Sequence, residues 1–401
     1  MNSTSTTTPL AGIRVIELGT LIAGPFAARL LAEFGADVIK IEAPSGGDPL
    51  RRWRRMHGDT SLWWYAQARN KKSVTLNLKT PEAQEIVRKL VKDADIVIEN
   101  FRPGAMEKWG LGWEALSAVN PRLIMVRLSG YGQTGPYRDR PGFGAIGEAM
   151  GGIRHLTGFP DRPPARVGVS IGDSIAALHG VIGALMALHH RDMNGGRGQY
   201  IDVALYESVF NMMESLLPEY GMFGFVRERS GASLPGIVPS NTYLTRDGRH
   251  IVIGANADSI FKRMMTAIGR DDLANDPELA HNDGRVAHTE MIEQVIRDWA
   301  ARTELDEALK ILEQAEVPSG KIYDIADIAR DAHYRAREMI EEHRLPDGQS
   351  LKLPGIVPKL SATPGATRWI GPKLGEHTGE VLAMLGYDDA ALVELKSRGV
   401  I

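Results

Sequence analysis

Short β-branched runs alternate with helix-spaced apolar positions through the first 130 residues. Ile13-Arg-Val-Ile-Glu-Leu18 reads as a strand, and apolar residues over positions 26–34 follow with a helical period. Asp37-Val-Ile-Lys-Ile-Glu42 is a second strand. A loop-rich stretch, 43–70, then carries the basic run Arg51-Arg-Trp-Arg-Arg55. Ser73-Val-Thr-Leu-Asn-Leu78 reads as a third strand, Pro81 opens a helix reaching Lys92, and Ile96-Val-Ile98 and Leu123-Ile-Met-Val-Arg-Leu128 complete the series. Strands alternating with helices imply βαβ units and a mainly parallel, twisted sheet, so the expected class is α/β.

Beyond residue 170 the period becomes helical over 174–191 and 205–216. A Gly- and Pro-rich loop follows at 231–239. A strand pair then falls at 242–244 and 250–253 around the turn Arg246-Asp-Gly-Arg249. Amphipathic helix over 258–317 predicts a smaller second domain, and the tail from 351 is mixed, with a helix near 376–385. No internal repeat or low-complexity tract is visible. The length of 401 residues fits two or three domains at roughly 100–200 residues each.

Composition narrows the classes. Hydrophobic residues at 43% and charged residues at 24% exclude global disorder. A net charge of -3 gives no electrostatic case for nucleic acid or an anionic membrane as partner. Zero cysteines exclude disulfides, thiolate metal sites and a cysteine nucleophile, and point to a reducing, cytoplasmic setting. No segment reads as a membrane span, and the polar start MNSTSTTTP reads as a frayed terminus rather than a signal peptide.

The turn after the first strand, Gly19-Thr-Leu-Ile-Ala-Gly24-Pro25, is not a G-x-G-x-x-G dinucleotide fingerprint. Walker A, H-E-x-x-H and G-x-S-x-G patterns are also missing. In Val167-Gly-Val-Ser-Ile-Gly-Asp173-Ser174-Ile175 a strand-like segment runs into a helix. Asp173 or Ser174 there is either a helix cap or, for Asp173, a carboxylate favoured by the helix dipole and able to act as a nucleophile. The 51–55 arginines read more readily as a solvated loop than as phosphate ligands. Asn100-Phe-Arg-Pro-Gly104 lies at the carboxyl end of a strand, where open α/β sheets bind ligands, and reads equally well as an ordinary turn.

These stretches together resemble one family. Ala23-Gly-Pro25, Gly35-Ala-Asp-Val-Ile-Lys-Ile-Glu42, Asn70-Lys-Lys-Ser73 and Leu76-Asn-Leu-Lys-Thr-Pro81 occur in its order. So do Glu99-Asn-Phe-Arg-Pro-Gly104, Gly130-Tyr-Gly-Gln-Thr-Gly-Pro136, Gly172-Asp-Ser174, Gly196-Arg-Gly-Gln199 and Leu374-Gly-Glu-His-Thr378. Across nearly its whole length the chain resembles the class III CoA-transferases of the CaiB/BaiF type, with the related α-methylacyl-CoA racemases. The resemblance implies that Asp173 is the catalytic nucleophile, forming aspartyl anhydride and aspartyl-CoA thioester intermediates, with no metal, nicotinamide or flavin. It places CoA contacts on Ala23, Leu76, Lys79, Asn100, Phe101, Arg102 and Lys108, and substrate contacts on Arg140, Phe143 and Gly144. It further implies a Rossmann-like large domain (1–205 and 341–401), linkers at 206–225 and 326–340, a small α+β domain (226–325) and an interlocked homodimer.

Departures narrow the substrate. Ile22 stands where the formyl-CoA branch has a catalytic glutamine, Ala43 replaces an arginine, Gly144 replaces a glutamate, and that branch's polyglycine loop has no counterpart beyond Gly231-Ala-Ser-Leu-Pro-Gly236. These argue against oxalate and formyl-CoA. The racemase branch needs a histidine near Phe143, and phenylalanine cannot take a proton. The expected donor is succinyl-CoA or a similar acyl-CoA and the expected acceptor a dicarboxylate, its second carboxylate paired with Arg140, Arg154 or Arg166. A racemase-like epimerase and a non-catalytic CoA-binding homologue are the alternatives.

Overall fold

The computed structural model describes residues 8–401, so most of the polar N-terminal run lies outside the described residues. Six strands form one wholly parallel sheet: β1 (Arg14–Glu17), β2 (Asp37–Glu42), β3 (Lys71–Thr75), β4 (Ile96–Glu99), β5 (Ile124–Ser129) and β6 (Tyr200–Ala204). Their order is β3-β2-β1-β4-β5-β6. The chain therefore builds outward from β1 on one side, returns, and builds outward from β4 on the other. The third strand starts two residues earlier than its apolar run, because Lys71 is buried and paired with Glu17 at 2.7 Å.

Alternation along each strand feeds two cores. Ile16, Val97 and Met125 face helix Pro81–Val91 and helix Thr378–Met384 of the tail. Val15, Ile96, Ile98 and Val126 face α1 (Ala23–Glu33) and the long helix Ile171–Met193. By length and composition this long helix could cross a membrane, contrary to the expectation that no such segment exists. Its Ala176, Ala177, Ala184 and Ala187 are nonetheless buried against the sheet.

The tail closes the outer edge of β3. Ser73 O accepts the His377 N–H at 2.9 Å, Ser73 N donates to His377 Nδ1 at 3.2 Å, and Thr75 N donates to Thr378 Oγ1 at 3.0 Å. The motif Leu374-Gly-Glu-His-Thr378 is thus an edge cover. Arg51 is structural as well. It is buried, chelates Glu42 through Nε and Nη2 at 2.8 Å each, and stacks on Trp64 at 3.7 Å.

The chain divides into two compact units, one of residues 1–154, 167–225 and 338–401, the other of 155–166 and 226–337. The stretch 206–225, expected as a linker, holds helices Leu205–Phe210 and Leu216–Phe223 of the first unit. The second unit packs three helices, Asp258–Ala267, Thr289–Ala300 and Leu305–Gln314, with an antiparallel sheet of Ser240–Leu244, His250–Gly254 and Ser319–Lys321. Fully buried Arg285 ties it together by donating to Val238 O (3.0 Å), Leu279 O (3.0 Å) and Asp258 Oδ1 (2.8 Å).

Candidate active site

The sheet order reverses between β1 and β4, so the loops leaving their carboxyl ends diverge there and open a crevice. These loops are 18–22 and 100–104, and Asn100 bridges them. Its Oδ1 accepts from Thr20 N and its Nδ2 donates to Thr20 O, each at 2.8 Å. The Asn100 side chain, expected to touch CoA, is thus committed to holding the loop that carries Ala23, the first residue of α1.

We designate Ala105–Lys108 as α2, Gly144–Met150 as α3 and Ile171–Met193 as α4. Crossing from β5 to parallel β6, α4 runs against the strand direction, and its N-terminus sits at the carboxyl edge of the sheet. Ser170 is its N-cap, without a side-chain cap bond, and Asp173 is its third residue. Asp173 is therefore not the cap. Its half-buried carboxylate lies in the first turn, where the dipole favours negative charge.

A close approach fixes that carboxylate. A Cβ at Gly144 would stand 2.0 Å from Asp173 Oδ2 and 2.7 Å from its Cγ, so only glycine admits this geometry. Gly172 meets the same helix, with Gly144 O at 3.3 Å from the position of its missing Cβ. Phe143, 71% exposed, is the N-cap of α3, and Arg140 is exposed with its guanidinium 3.6 Å from the Tyr137 ring centre. The 139–144 loop adjoins the 100–108 segment, because Arg102 Nη2 donates to Asp139 O.

Arg102 and Lys108 are exposed and line a cavity of about 400 Å³ with Pro103, Ala105, Trp109 and Asp139. Phe101 is half-buried, edge-on to Trp109 at 5.1 Å. Lys79 is exposed beyond the end of β3. Leu76 differs from expectation: it is 1% exposed within the core, and its N–H is taken by Glu42 O at 2.8 Å, so its side chain faces no ligand. Of the arginines weighed for a second carboxylate, Arg154 pairs with buried Glu148 at 3.1 Å and Arg166 lies in the second unit. Among the described residues no group of three or more His, Cys, Asp or Glu could hold a metal.

The sequence reading missed the network beneath the 100–108 segment. Glu99, 1% exposed, accepts Arg127 Nε at 2.9 Å and the Phe101 N–H at 2.8 Å, while Arg127 Nη2 reaches Glu107 at 2.9 Å. The only signal in the sequence was one charged residue within each of two apolar strands. Burial pushes the Glu99 carboxyl up to about 7, against the opposing pull of Arg127 and the Phe101 amide. A raised carboxyl binds its proton more tightly when folded, so its stabilising contribution is whole below about pH 4.5 and lost as pH rises through about 7. Melting curves of wild type and Glu99→Gln across that window are expected to show wild type losing stability relative to the variant as pH rises. Parallel profiles would refute this.

A model described as CoA-transferase family III matches residues 10–378. A succinyl-CoA–D-citramalate CoA-transferase of Chloroflexus aurantiacus is 50% identical over the whole of both chains, and a succinyl-CoA–L-malate CoA-transferase beta subunit of the same organism is 48% identical, also over the whole of both. The crystal structure of a CaiB/BaiF family protein from Brucella suis superposes with a TM-score of 0.82 at 35% identity, covering 94% of this chain and 100% of its own. On sequence and on fold alike, the chain belongs to CoA-transferase family III.

Proposed function

We propose that this class III CoA-transferase moves CoA from succinyl-CoA to a dicarboxylic acid, with Asp173 as the nucleophile. The observation that carries the proposal is the Asp173 carboxylate, set in the first turn of α4 and pressed against Gly144 at the carboxyl edge of the sheet. Asp173 attacks the thioester carbonyl, CoA leaves as thiolate, and an acyl-aspartyl anhydride remains. The thiolate then attacks the aspartyl carbonyl, forming an aspartyl-CoA thioester and releasing succinate. The acceptor carboxylate displaces CoA through a second anhydride, and the thiolate takes the new acyl group, restoring Asp173. Each step exchanges a carboxylate for a thiolate, so thioester energy is retained and no net proton is consumed.

Lys79, Arg102 and Lys108 supply cations for the CoA phosphates, and Phe101 an apolar wall. Exposed Arg140 and Phe143, beside Gly144, are the proposed acceptor contacts. The malate and citramalate named for the relatives support a hydroxydicarboxylate acceptor. Intact-protein mass spectrometry after mixing with succinyl-CoA tests the mechanism. A CoA-sized adduct, removed by hydroxylamine, is expected on wild type and not on Asp173→Ala. No adduct from any acyl-CoA, with α-proton exchange in deuterated water, would favour the epimerase reading instead.

We also infer an interlocked homodimer. Helix α4 leaves Leu178, Ile182, Leu185 and Met186 exposed at helical spacing, and Phe210, Leu217, Met222 and Phe223 of the same unit are exposed too. So much bare apolar surface calls for a cover. Sedimentation is expected to give twice the subunit mass at all accessible dilutions, and a folded monomer would overturn the inference.

A further inference from the structure

The loop between β1 and α1 is held more firmly than the fold requires. Leu21 has φ 65°, a left-handed backbone that brings a leucine Cβ against its own carbonyl. Its N–H is accepted by both oxygens of Asp48, at 3.0 and 3.2 Å. Lys40 donates to Gly19 O at 2.8 Å, Gln67 to Ile22 O at 3.2 Å and Lys71 to Pro25 O at 2.7 Å, while Asn100 takes both backbone polar groups of Thr20. Asp48, Lys40, Gln67 and Lys71 are each no more than 3% exposed. Starting a helix needs nothing of this kind, and α1 begins without any side-chain cap bond. Non-glycine residues in left-handed conformations persist only where their surroundings over-determine them, and they gather at functional sites.

The place is informative. The loop stands at the switch point of the sheet, joined through Asn100 to the segment carrying Phe101 and Arg102. Helix α1, which it opens, packs in one core with α4, and both helices begin at the sheet edge where Asp173 lies. The Asp48 carboxylate is itself fixed, 2.9 Å from Lys40 Nζ and accepting the Leu50 N–H at 2.9 Å. Burial opposes its charge, but Lys40 and the two amides outweigh it and hold the carboxyl below the usual range.

Resting on the transferase reading above, we propose that Thr20–Ile22 is a preorganised strap that presents the donor thioester to Asp173, and that Asp48 is its positioning residue. Asp48 acts through Leu21, keeping the leucine left-handed so that the strap keeps one shape between the two half-reactions. The strap is rigid before substrate arrives, so binding energy is not consumed in ordering it.

The test is a cycle between Asp48→Asn and Leu21→Gly, assayed for succinyl-CoA-dependent transfer to malate with melting temperature recorded in parallel. Asp48→Asn weakens the hold, and the leucine relaxes. Its kcat/KM for succinyl-CoA is expected to fall about 10- to 100-fold, the order expected for about 1 Å of misplacement. Glycine adopts the left-handed region freely. In the Asp48→Asn background Leu21→Gly is therefore expected to recover most of the loss. A defect elsewhere in the fold would not be rescued this way, and a loss of stability alone would show in the melting temperature. A folded Asp48→Asn with unchanged kcat/KM, or a Leu21→Gly that only adds a loss of its own, overturns the strap. Should Asp48→Asn fail to fold, Gln67→Met frees the Ile22 carbonyl, giving up only one further bond, that from Arg29 Nη1 at 3.5 Å, and unchanged kinetics there overturn it equally. A wild type that transfers CoA from no acyl-CoA donor would instead bring down the transferase reading, and the strap with it.

Discussion

Replacing Asp173 by alanine is expected to abolish CoA transfer, lowering kcat by roughly 10⁴-fold or more, as removal of a nucleophile does. The fold should survive. Asp173 is the third residue of α4 and not its cap, and the first-turn charge it supplies is worth about 0.3–1 kcal/mol. Asp173→Asn sharpens the result, because an amide keeps the shape of the carboxylate and the contact with Gly144 but is a poor nucleophile. Both variants should retain the melting behaviour of wild type within a few degrees and still bind CoA. Turnover near the wild-type value in Asp173→Asn would remove the residue from the chemistry.

Gly144→Ala is expected to have the next largest effect. Its methyl would sit 2.0 Å from Asp173 Oδ2, far inside van der Waals contact, so the carboxylate or the start of α3 must move. Moving a reacting group by about 1 Å costs on the order of 10²-fold in rate. Since the clash falls on the proposed nucleophile and not on the cations proposed for the CoA phosphates, the loss should appear in kcat, with KM for the acyl-CoA nearly unchanged. Overpacking of this kind typically costs about 1–3 kcal/mol in stability. Wild-type kcat in a folded Gly144→Ala would show that the approach of Gly144 to Asp173 has no bearing on catalysis.

The two effects differ in how far the sequence announced them. Asp173 stood out through its setting, a strand-like run entering a helix, and through the order of motifs around it. The sheet was also legible, since Ile13–Leu18 and Asp37–Glu42 are runs that only strands suit. Where the reading fell short, the deciding partner lies far away in the sequence. Lys71 opens β3 from inside the protein, paired with Glu17, and a lysine by itself reads as solvated. Asn100 looked like a ligand contact because its position is right, yet the partner of its amide lies eighty residues away. Leu76 was drawn into the site by its motif, although its side chain belongs to the core. Pairings between distant segments decide such cases, and no local pattern records them.

The hydrogen bonds from residues 377 and 378 to the edge of β3 set the order in which the protein can be completed. During synthesis β3 leaves the ribosome some three hundred residues before its cover does. Until then its outward N–H and C=O groups form an open parallel edge, the kind that recruits other strands. Contacts so far apart in sequence also slow the final folding step. A nascent chain stalled between residues 204 and 377 therefore carries all six strands of the sheet with the β3 margin still raw. It would be a client for chaperones, prone to self-association, even with every catalytic residue already in place.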